Sequence, residues 1–311
     1  MKRFTWLMVA VFLMAILTAC GGTAQKTETK PADTPAAAPA KKTIGLAVST
    51  LNNPFFVDLR DGAKAAADAA GVELIVLDAQ NDAAKQTAQV EDLITKKVDV
   101  ILINPADSDA IATAIAAANK ANIPVITVDR GANKGTVAAH VASDNVAGGK
   151  MAGELIVQLT GGKGQIAELE GIPGTSAARD RGTGFHQAVD NKADLKVVAK
   201  QPADFDRAKG LKTMENILQA NPDIVAVFAH NDEMALGALE AIKAAGKEGK
   251  ISVVGFDATD DAVKAVKEKK MAATVAQKPK DIGRIGVESA VKVMNGQSVE
   301  KNIPVALELV K

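Results

Sequence analysis

The chain has 311 residues, 47% of them apolar, with 37 basic side chains against 37 acidic ones. That length is more than one core usually serves, so two folding units are expected, and the balanced charge leaves no footprint for nucleic acid or another strongly electrostatic partner. Three His and one Cys leave little material for a metal cluster or a disulfide framework.

Lys2 and Arg3 form a basic start, and residues 4–17 are apolar over a length that suits a signal-peptide core better than a membrane span. The run ends in Leu17-Thr18-Ala19-Cys20-Gly21, which resembles the bacterial lipoprotein signal, with Cys20 as the lipidated residue and anchor to the membrane. The alternative is a plain secretory signal cleaved near Ala19. Residues 1–19 are therefore expected to be a signal peptide. Residues 20–40, rich in Ala, Pro, Thr and Lys, cannot bury a core and are expected to be a disordered tether.

From Lys41 onward strand-like and helix-like segments alternate. Residues 43–49 read as a strand, 54–70 as a helix closed by Gly71, 72–78 as a strand, 83–97 as a helix and 98–104 as a strand. A helix over 107–121 and strands over 123–128 and 137–142 follow. The pattern then restarts, with helices over 146–159, 176–189, 206–220, 233–245, 260–268 and 282–295. Strands over 165–169, 196–199, 224–229, 251–256 and 272–276 interleave with them, and 303–310 is extended. The strand-like runs are nearly unbroken Val, Ile and Leu, as in strands covered on both faces. The fold class expected is α/β, with two similar doubly wound parallel-sheet lobes joined by a hinge. The lobes are expected to meet near Ser143-Asp144 and again near Gln277.

The stretch 49–56, Ser-Thr-Leu-Asn-Asn-Pro-Phe-Phe, carries the first strand into the first helix. Pro54 fits the first helical position, and the residue before a proline is held extended, so Asn53 stands at the crossing. In open parallel sheets ligands bind outside the carboxyl ends of the strands. Two Phe beside two Asn suit a flat ligand with apolar faces and polar edges, such as a sugar ring. Equally, Phe55 and Phe56 read as core residues and Asn53 as a helix N-cap. Most strands end in polar residues: Ser49 and Asn53, Asp129-Arg130, Asn231-Asp232, Asp257 and Gln277. Each reads alone as a cap or loop residue, but the series makes capping a poor account of all of them. Planar Asp, Asn, Gln and Arg groups can hold hydroxyls by paired hydrogen bonds.

Enzyme signatures are missing: no G-x-G-x-x-G, P-loop or G-x-S-x-G occurs, and His140, His186 and His230 have no metal-ligand spacing. No cofactor or metal is expected. His230 precedes Asn231 at a strand end and so lies near any site there. His140 reads as a strand residue and His186 as a helix-face residue.

The segments STLNNPFF (49–56), INPADSDA (103–110), ANIPVITVDR (121–130), ASDN (142–145), GTSAARDRG (174–182), QPADFDR (201–207), NDEMALGAL (231–239), VVGFD (253–257) and AATVAQ (272–277) resemble the type I periplasmic binding proteins of bacterial ABC sugar uptake, and among them the ribose binders. The resemblance covers essentially residues 41–311. It implies that Ser49, Asn53, Phe55, Phe56, Asp129 and Arg130 come from one lobe and Arg181, Phe205, Asn231 and Asp257 from the other, with Gln277 at a crossover. Phe55, Phe56 and Phe205 sandwich a pyranose ring, and the polar groups bond its hydroxyls. The lobes implied are 41–143 plus 278–303 and 144–277 plus 304–311. The implied ligand is D-ribose, with allose, another pentose or a furanosyl signal molecule as alternatives. The partners implied are an ABC permease and, in some members, a chemoreceptor, for a receptor that is monomeric, exported and not an enzyme. His230 is the chief local departure, standing where the family's nearest member has an amide. A sugar-responsive transcription regulator shares this fold, but the export signal and the lack of a basic helix-turn-helix head argue against it.

Overall fold

The computed structural model describes residues 41–311. The expected signal peptide, Cys20 and the tether lie outside the described residues.

The first half runs β1 (Thr43–Val48), α1 (Pro54–Ala70), β2 (Glu73–Asp78), α2 (Ala83–Thr95), β3 (Val100–Ile103), α3 (Ala112–Lys120), β4 (Val125–Val128) and β5 (Ala139–Ser143). The second runs α4 (Asn145–Thr160), β6 (Gly164–Glu170), α5 (Ser176–Val189), β7 (Leu195–Pro202), α6 (Arg207–Ala220), β8 (Ile224–Ala229), α7 (Asp232–Ala244), β9 (Ser252–Asp257), α8 (Asp260–Lys267) and β10 (Ala273–Ala276). Then come α9 (Pro279–Met294), β11 (Asn302–Val305) and β12 (Glu308–Val310).

The strands form two six-stranded sheets, ordered β2-β1-β3-β4-β5-β11 and β7-β6-β8-β9-β10-β12. The first five strands of each sheet follow the same winding, so each sheet reverses direction once, between β1 and β3 and between β6 and β8. Such reversals leave a crevice at the carboxyl ends of the strands. One pair departs from the parallel expectation: β12 runs antiparallel to β10, with Thr274 opposite Val310 and Ala276 opposite Glu308. Val305 lies beside Ser143 at the carboxyl end of the first sheet. A short link therefore delivers the chain to the carboxyl end of the second sheet, from which it can only run back. The extended tail is thus split between both sheets. The chain passes from one sheet to the other after Ser143, after Ala276 and after Val305.

Alternation along the strands decides which helices cover which face. In β3, Val100 and Leu102 pack with Leu59, Ile282 and Val287 of α1 and α9, while Ile101 and Ile103 pack with Leu93 and Ile115 of α2 and α3. In β8, Phe228 faces Ile156 and Phe185 of α4 and α5, and Val227 faces Met214 and Met234 of α6 and α7. Helix α1 is fixed at both ends by local chemistry. Asn53 Oδ1 accepts from the Phe55 amide at 2.9 Å, Pro54 occupies the first turn, and Gly71 closes the helix at φ 69°. Its neighbour α9 approaches so closely that a Cβ on Gly283 would lie 2.0 Å from the Leu59 carbonyl oxygen. Helix α3 begins at Ala112, later than the expected 107. Asp107 folds into a turn instead, its Oδ1 accepting from the amides of Asp109 and Ala110 at 2.9 and 2.7 Å.

Candidate functional site

The carboxyl ends of the two sheets face each other across one enclosed space. Its walls are Asn53, Phe55, Phe56, Asp129 and Arg130 from the first lobe, and Ala177, Arg181, Phe205, Asn231 and Asp257 from the second, with Gln277 at the crossing. About 240 Å³ between the wall atoms is unfilled, but the centre of a water-sized molecule fits in only about 10 Å³ of it, so the wall side chains stand nearly in contact. A wider groove of about 1410 Å³ runs between Asp109 and Asn133 on one side and α5 on the other. It is open to solvent and no Phe lines it, so it offers no stacking face.

Each wall residue arrives by a local device. Asn53 and Asn231 cap α1 and α7 and line the cavity at once, so the capping reading and the site reading both hold. Asn231 Oδ1 accepts from the Met234 amide at 3.0 Å, leaving its Nδ2 to reach the Phe205 carbonyl at 3.3 Å. Phe55 and Phe56 belong to the core and to the wall, meeting edge-on with centroids 5.1 Å apart. Phe205 has φ 58° and Asp129 φ 61°, left-handed conformations that turn their side chains out of the strand ends. Asp257 sits at φ 120°. Gly171 is the backbone against which the Phe205 ring lies: a Cβ there would be 1.9 Å from Phe205 Cζ.

The electrostatics are two acids against two guanidinium groups, all 3–7% exposed. Burial pushes the Asp129 carboxyl up, while Arg130, Arg181 and a hydrogen bond from Asn104 Nδ2 at 3.0 Å oppose the rise. Burial draws Arg130 down to about 10 against the pull of Asp129. Its guanidinium lies 5.1 Å from the Phe56 centroid and 5.2 Å from that of Phe205. Arg181 donates from Nε to Asn145 at 2.8 Å and from Nη1 to the His230 carbonyl at 2.6 Å. It stacks 3.8 Å from the Phe256 centroid and approaches Asp257 at 3.7 Å. Burial raises Asp257 to about 7, with Arg181 opposing. Gln277 Nε2 donates to Asp257 at 2.9 Å. Two buried polar atoms on wall residues, Arg130 Nε and Gln277 Oε1, have no hydrogen-bond partner in the protein. A donor and an acceptor left bare in a dry enclosure suit a ligand that offers both, as a hydroxyl does.

Ser49 does not line the cavity. It stands behind the wall at the end of β1, its amide donating to Asn104 Oδ1 at 3.2 Å and its own Oγ buried without a partner. His230 is buried behind the second lobe's wall, and His186 lies on the other side of Glu168 from it. His140 pairs with Thr127 inside the first sheet.

Three supports stand behind the wall; sequence reasoning passed over Asn104 and Ser108, and it had Asp232 only as one of the polar strand ends. Asn104 bridges Ser49 and Asp129. Asp232 accepts from Thr274 Oγ1 at 2.7 Å and from the Thr259 amide at 2.8 Å, tying down the loop after Asp257. Ser108 joins the lobes. Its Oγ donates to the Gly131 carbonyl at 2.7 Å and accepts from the Ser176 amide at 3.1 Å, while the Gly131 amide donates to Ser176 Oγ at 2.9 Å. Asn104 ends an apolar run and could have been found by the rule that found Asp129. Among the described residues no group of three or more His, Cys, Asp or Glu could hold a metal, and no helix is long and apolar enough to cross a membrane.

Two wound lobes closing polar and aromatic groups from both sheets around one small buried space define a bilobal solute receptor. Residues 44–298 match the family described as periplasmic binding protein domain, and the chain belongs to it. It is 57% identical over 273 residues to the ribose import binding protein RbsB of Haemophilus influenzae, covering 88% of this chain and 92% of that one. The RbsB of Bacillus subtilis is 55% identical over 267 residues, 86% of each chain. Among solved structures, an ABC transporter periplasmic solute binding protein from Actinobacillus succinogenes with bound D-allose superposes with a TM-score of 0.82. It shares 35% identity over 87% of this chain and 98% of that one.

Proposed function

We propose that the chain is an extracytoplasmic receptor that captures D-ribose between its lobes and delivers it to an ABC permease. The observation that carries this reading is the enclosed cavity, in which stacking rings and charge-paired hydroxyl-binding groups come from both lobes. The RbsB relatives, at more than half identity across nearly their whole length, support ribose over allose.

In this reading Phe55, Phe56 and Phe205 cover the faces of the sugar ring, and Asn53, Asp129, Arg130, Arg181, Asn231, Asp257 and Gln277 share its hydroxyls. Ser49 acts behind them, through Asn104. Sugar enters while the lobes are apart. The three crossings after Ser143, Ala276 and Val305 act as the hinge. Sugar favours the closed state because only there do both half-sites touch it, and the contacts among Ser108, Gly131 and Ser176 close the rim. The relatives are named as import binding proteins, and in this reading the receptor releases its sugar unchanged. Leu17-Thr18-Ala19-Cys20 supports lipidation at Cys20, which would hold a monomeric receptor at the outer face of the cell membrane, beside its permease and within reach of a chemoreceptor.

The test is a thermal-shift panel of pentoses and hexoses followed by calorimetry on the best. The largest rise in Tm is expected for D-ribose, with no turnover of the sugar. A larger rise with allose or myo-inositol would replace the ligand, and a flat panel would remove the reading.

A further inference from the structure

Behind the cavity, inside the second lobe, runs a polar chain that the proposed sugar contacts do not use. Glu168, within β6, is fully buried. Its Oε1 accepts from Nε2 of the equally buried His230 at 2.8 Å, and its Oε2 accepts from Nε2 of His186 at 2.9 Å. His186 Nδ1 continues outward to Asp190 at 2.8 Å. The second ring nitrogen of His230 accepts from the Gly171 amide at 3.4 Å, so the ring is neutral with its proton on Nε2. His186 faces a carboxylate with each nitrogen and is therefore the charged one of the two.

A carboxylate in the middle of a strand is costly to bury, and an aliphatic side chain would fill the space without that cost. What the carboxylate holds is the ring of a residue with two connections to the cavity wall. The His230 carbonyl accepts from Arg181 Nη1 at 2.6 Å. The His230 ring fixes Gly171, whose Cα is the surface under Phe205. One buried imidazole thus supports both a guanidinium and a benzyl ring of the wall.

We propose that His230, clamped by Glu168 and His186, is a positioning residue for sugar recognition, setting where Arg181 and Phe205 stand in the closed cleft. This rests on the sugar-receptor reading above.

The clamp is charge-dependent. Burial pushes Glu168 up, but the hydrogen bonds from His186 and His230 outweigh it and hold the carboxyl down to about 2. The Glu168 hydrogen bond, helped by Asp190, raises His186 to about 9. The other charged groups facing this chain are Lys200, 3.9 Å from Glu168 and 3.2 Å from Glu170, and Arg181 beyond His230. When His186 loses its proton it keeps one N–H for Glu168 but gives up its charge and its bond to Asp190, so the clamp on Glu168 weakens from a charge-assisted hydrogen bond to a neutral donor, and more of the load falls on the ring that supports the wall.

The test is calorimetric titration of the full protein with D-ribose at neutral pH and at steps up to about pH 9.5, for wild type, His230→Gln, His230→Leu and His186→Gln. Gln retains an N–H for Glu168 and an oxygen for the Gly171 amide, so His230→Gln should stay within about threefold of wild-type affinity, whereas His230→Leu should lose about tenfold or more. His186 touches no cavity atom. Wild-type affinity should decline as the pH rises through about 9, and His186→Gln should lack that step. Wild-type-like binding by His230→Leu, together with superimposable pH profiles for wild type and His186→Gln, overturns the proposal. Should His230→Leu fail to fold, the His186→Gln profile decides alone. A wild type that takes up no sugar brings down the receptor reading and this one with it. A wild type that binds, with variants indistinguishable from it, removes only this one.

Discussion

Replacing Asp129 by Ala removes the one carboxylate that faces Arg130 across the first half of the cavity. Both side chains are only 3% exposed, so closure of the lobes would leave the guanidinium dry, with the Pro105 carbonyl at 3.3 Å as its only hydrogen-bond acceptor. Breaking a buried pair by removing one partner costs about 3–5 kcal/mol, and each charged hydrogen bond to a sugar hydroxyl contributes roughly 1.5–3 kcal/mol net. These terms overlap, so a loss of about 3–5 kcal/mol is the working figure, or roughly two to four decades in Kd at about 1.4 kcal/mol each. The cost falls on the closed state, because in the open state water solvates Arg130. Sugar-free stability should therefore hold or rise, since the acid itself is held above its ordinary range by burial. Asp129→Asn keeps the shape and one acceptor oxygen and should lose less. Calorimetry with D-ribose on both variants, beside melting curves without sugar, separates the two effects. An Asp129→Ala affinity within about threefold of wild type would refute the assignment of this pair to the ligand.

Phe205→Ala should weaken binding by about one to two decades while lowering Tm less than Leu59→Ala, a core truncation that typically costs about 2–5 kcal/mol; unfolding of Phe205→Ala instead would make that ring structural. Stability should depend on pH through Glu168 and His186. Glu168 lies at about 2 against an ordinary 4.5, so its contribution is present above 4.5 and lost as the pH falls toward 2. His186 lies at about 9 against 6.5, so its contribution is whole below 6.5 and lost as the pH rises through 9. The Tm gap between wild type and His186→Gln should therefore shrink on the alkaline side, and a constant gap would contradict this. Ser108→Ala should weaken sugar binding by about 0.5–1.5 kcal/mol per hydrogen bond lost, and the fully closed scattering profile should then require more sugar; an unchanged titration would remove the rim contacts from the closure mechanism.

The sequence made the layered α/β fold legible because its strands are unbroken apolar runs and its crossings carry Pro, Asn and Asp. The cavity wall was legible for the same reason: Asn53, Asp129, Asn231 and Asp257 all stand where a strand stops. What stayed hidden were contacts made across long stretches of chain. Glu168 lies 62 residues from His230, and in the sequence it is one polar residue in a strand, indistinguishable from a solvent-facing one. Asp232 stood in the series of polar strand ends, yet it lies behind the wall, fully buried, and holds the loop that aims Asp257. The antiparallel β12 was equally invisible, because strand direction at an edge depends on which end of the sheet the chain reaches. Helix α3 starts late because Asp107 satisfies two amides in a turn, a local competition that the apolar pattern of residues 107–121 does not register.

The charge arrangement bears on why such a cavity suits a neutral polyol. Asp129 opposes Arg130 and Asp257 opposes Arg181, so each lobe brings one acid and one base to its own half. Neither half presents a net charge to a ligand when Asp257 is ionised. A charged ligand would leave one of the four groups uncompensated in a dry space, which costs more than any single hydrogen bond returns. A hydroxyl, by contrast, can accept from a guanidinium and donate to a carboxylate at once. Asp257 ionises only near 7, because burial and the neighbouring acids resist its charge. Hydroxyls that donate to Asp257 favour its ionised form, so sugar should draw its pKa down on binding. Near neutral pH that carboxyl should release a fraction of a proton as the lobes close. Calorimetry in two buffers of different ionisation enthalpy would read the release as a difference in apparent heat, and identical heats would show that no proton leaves on binding and overturn this expectation.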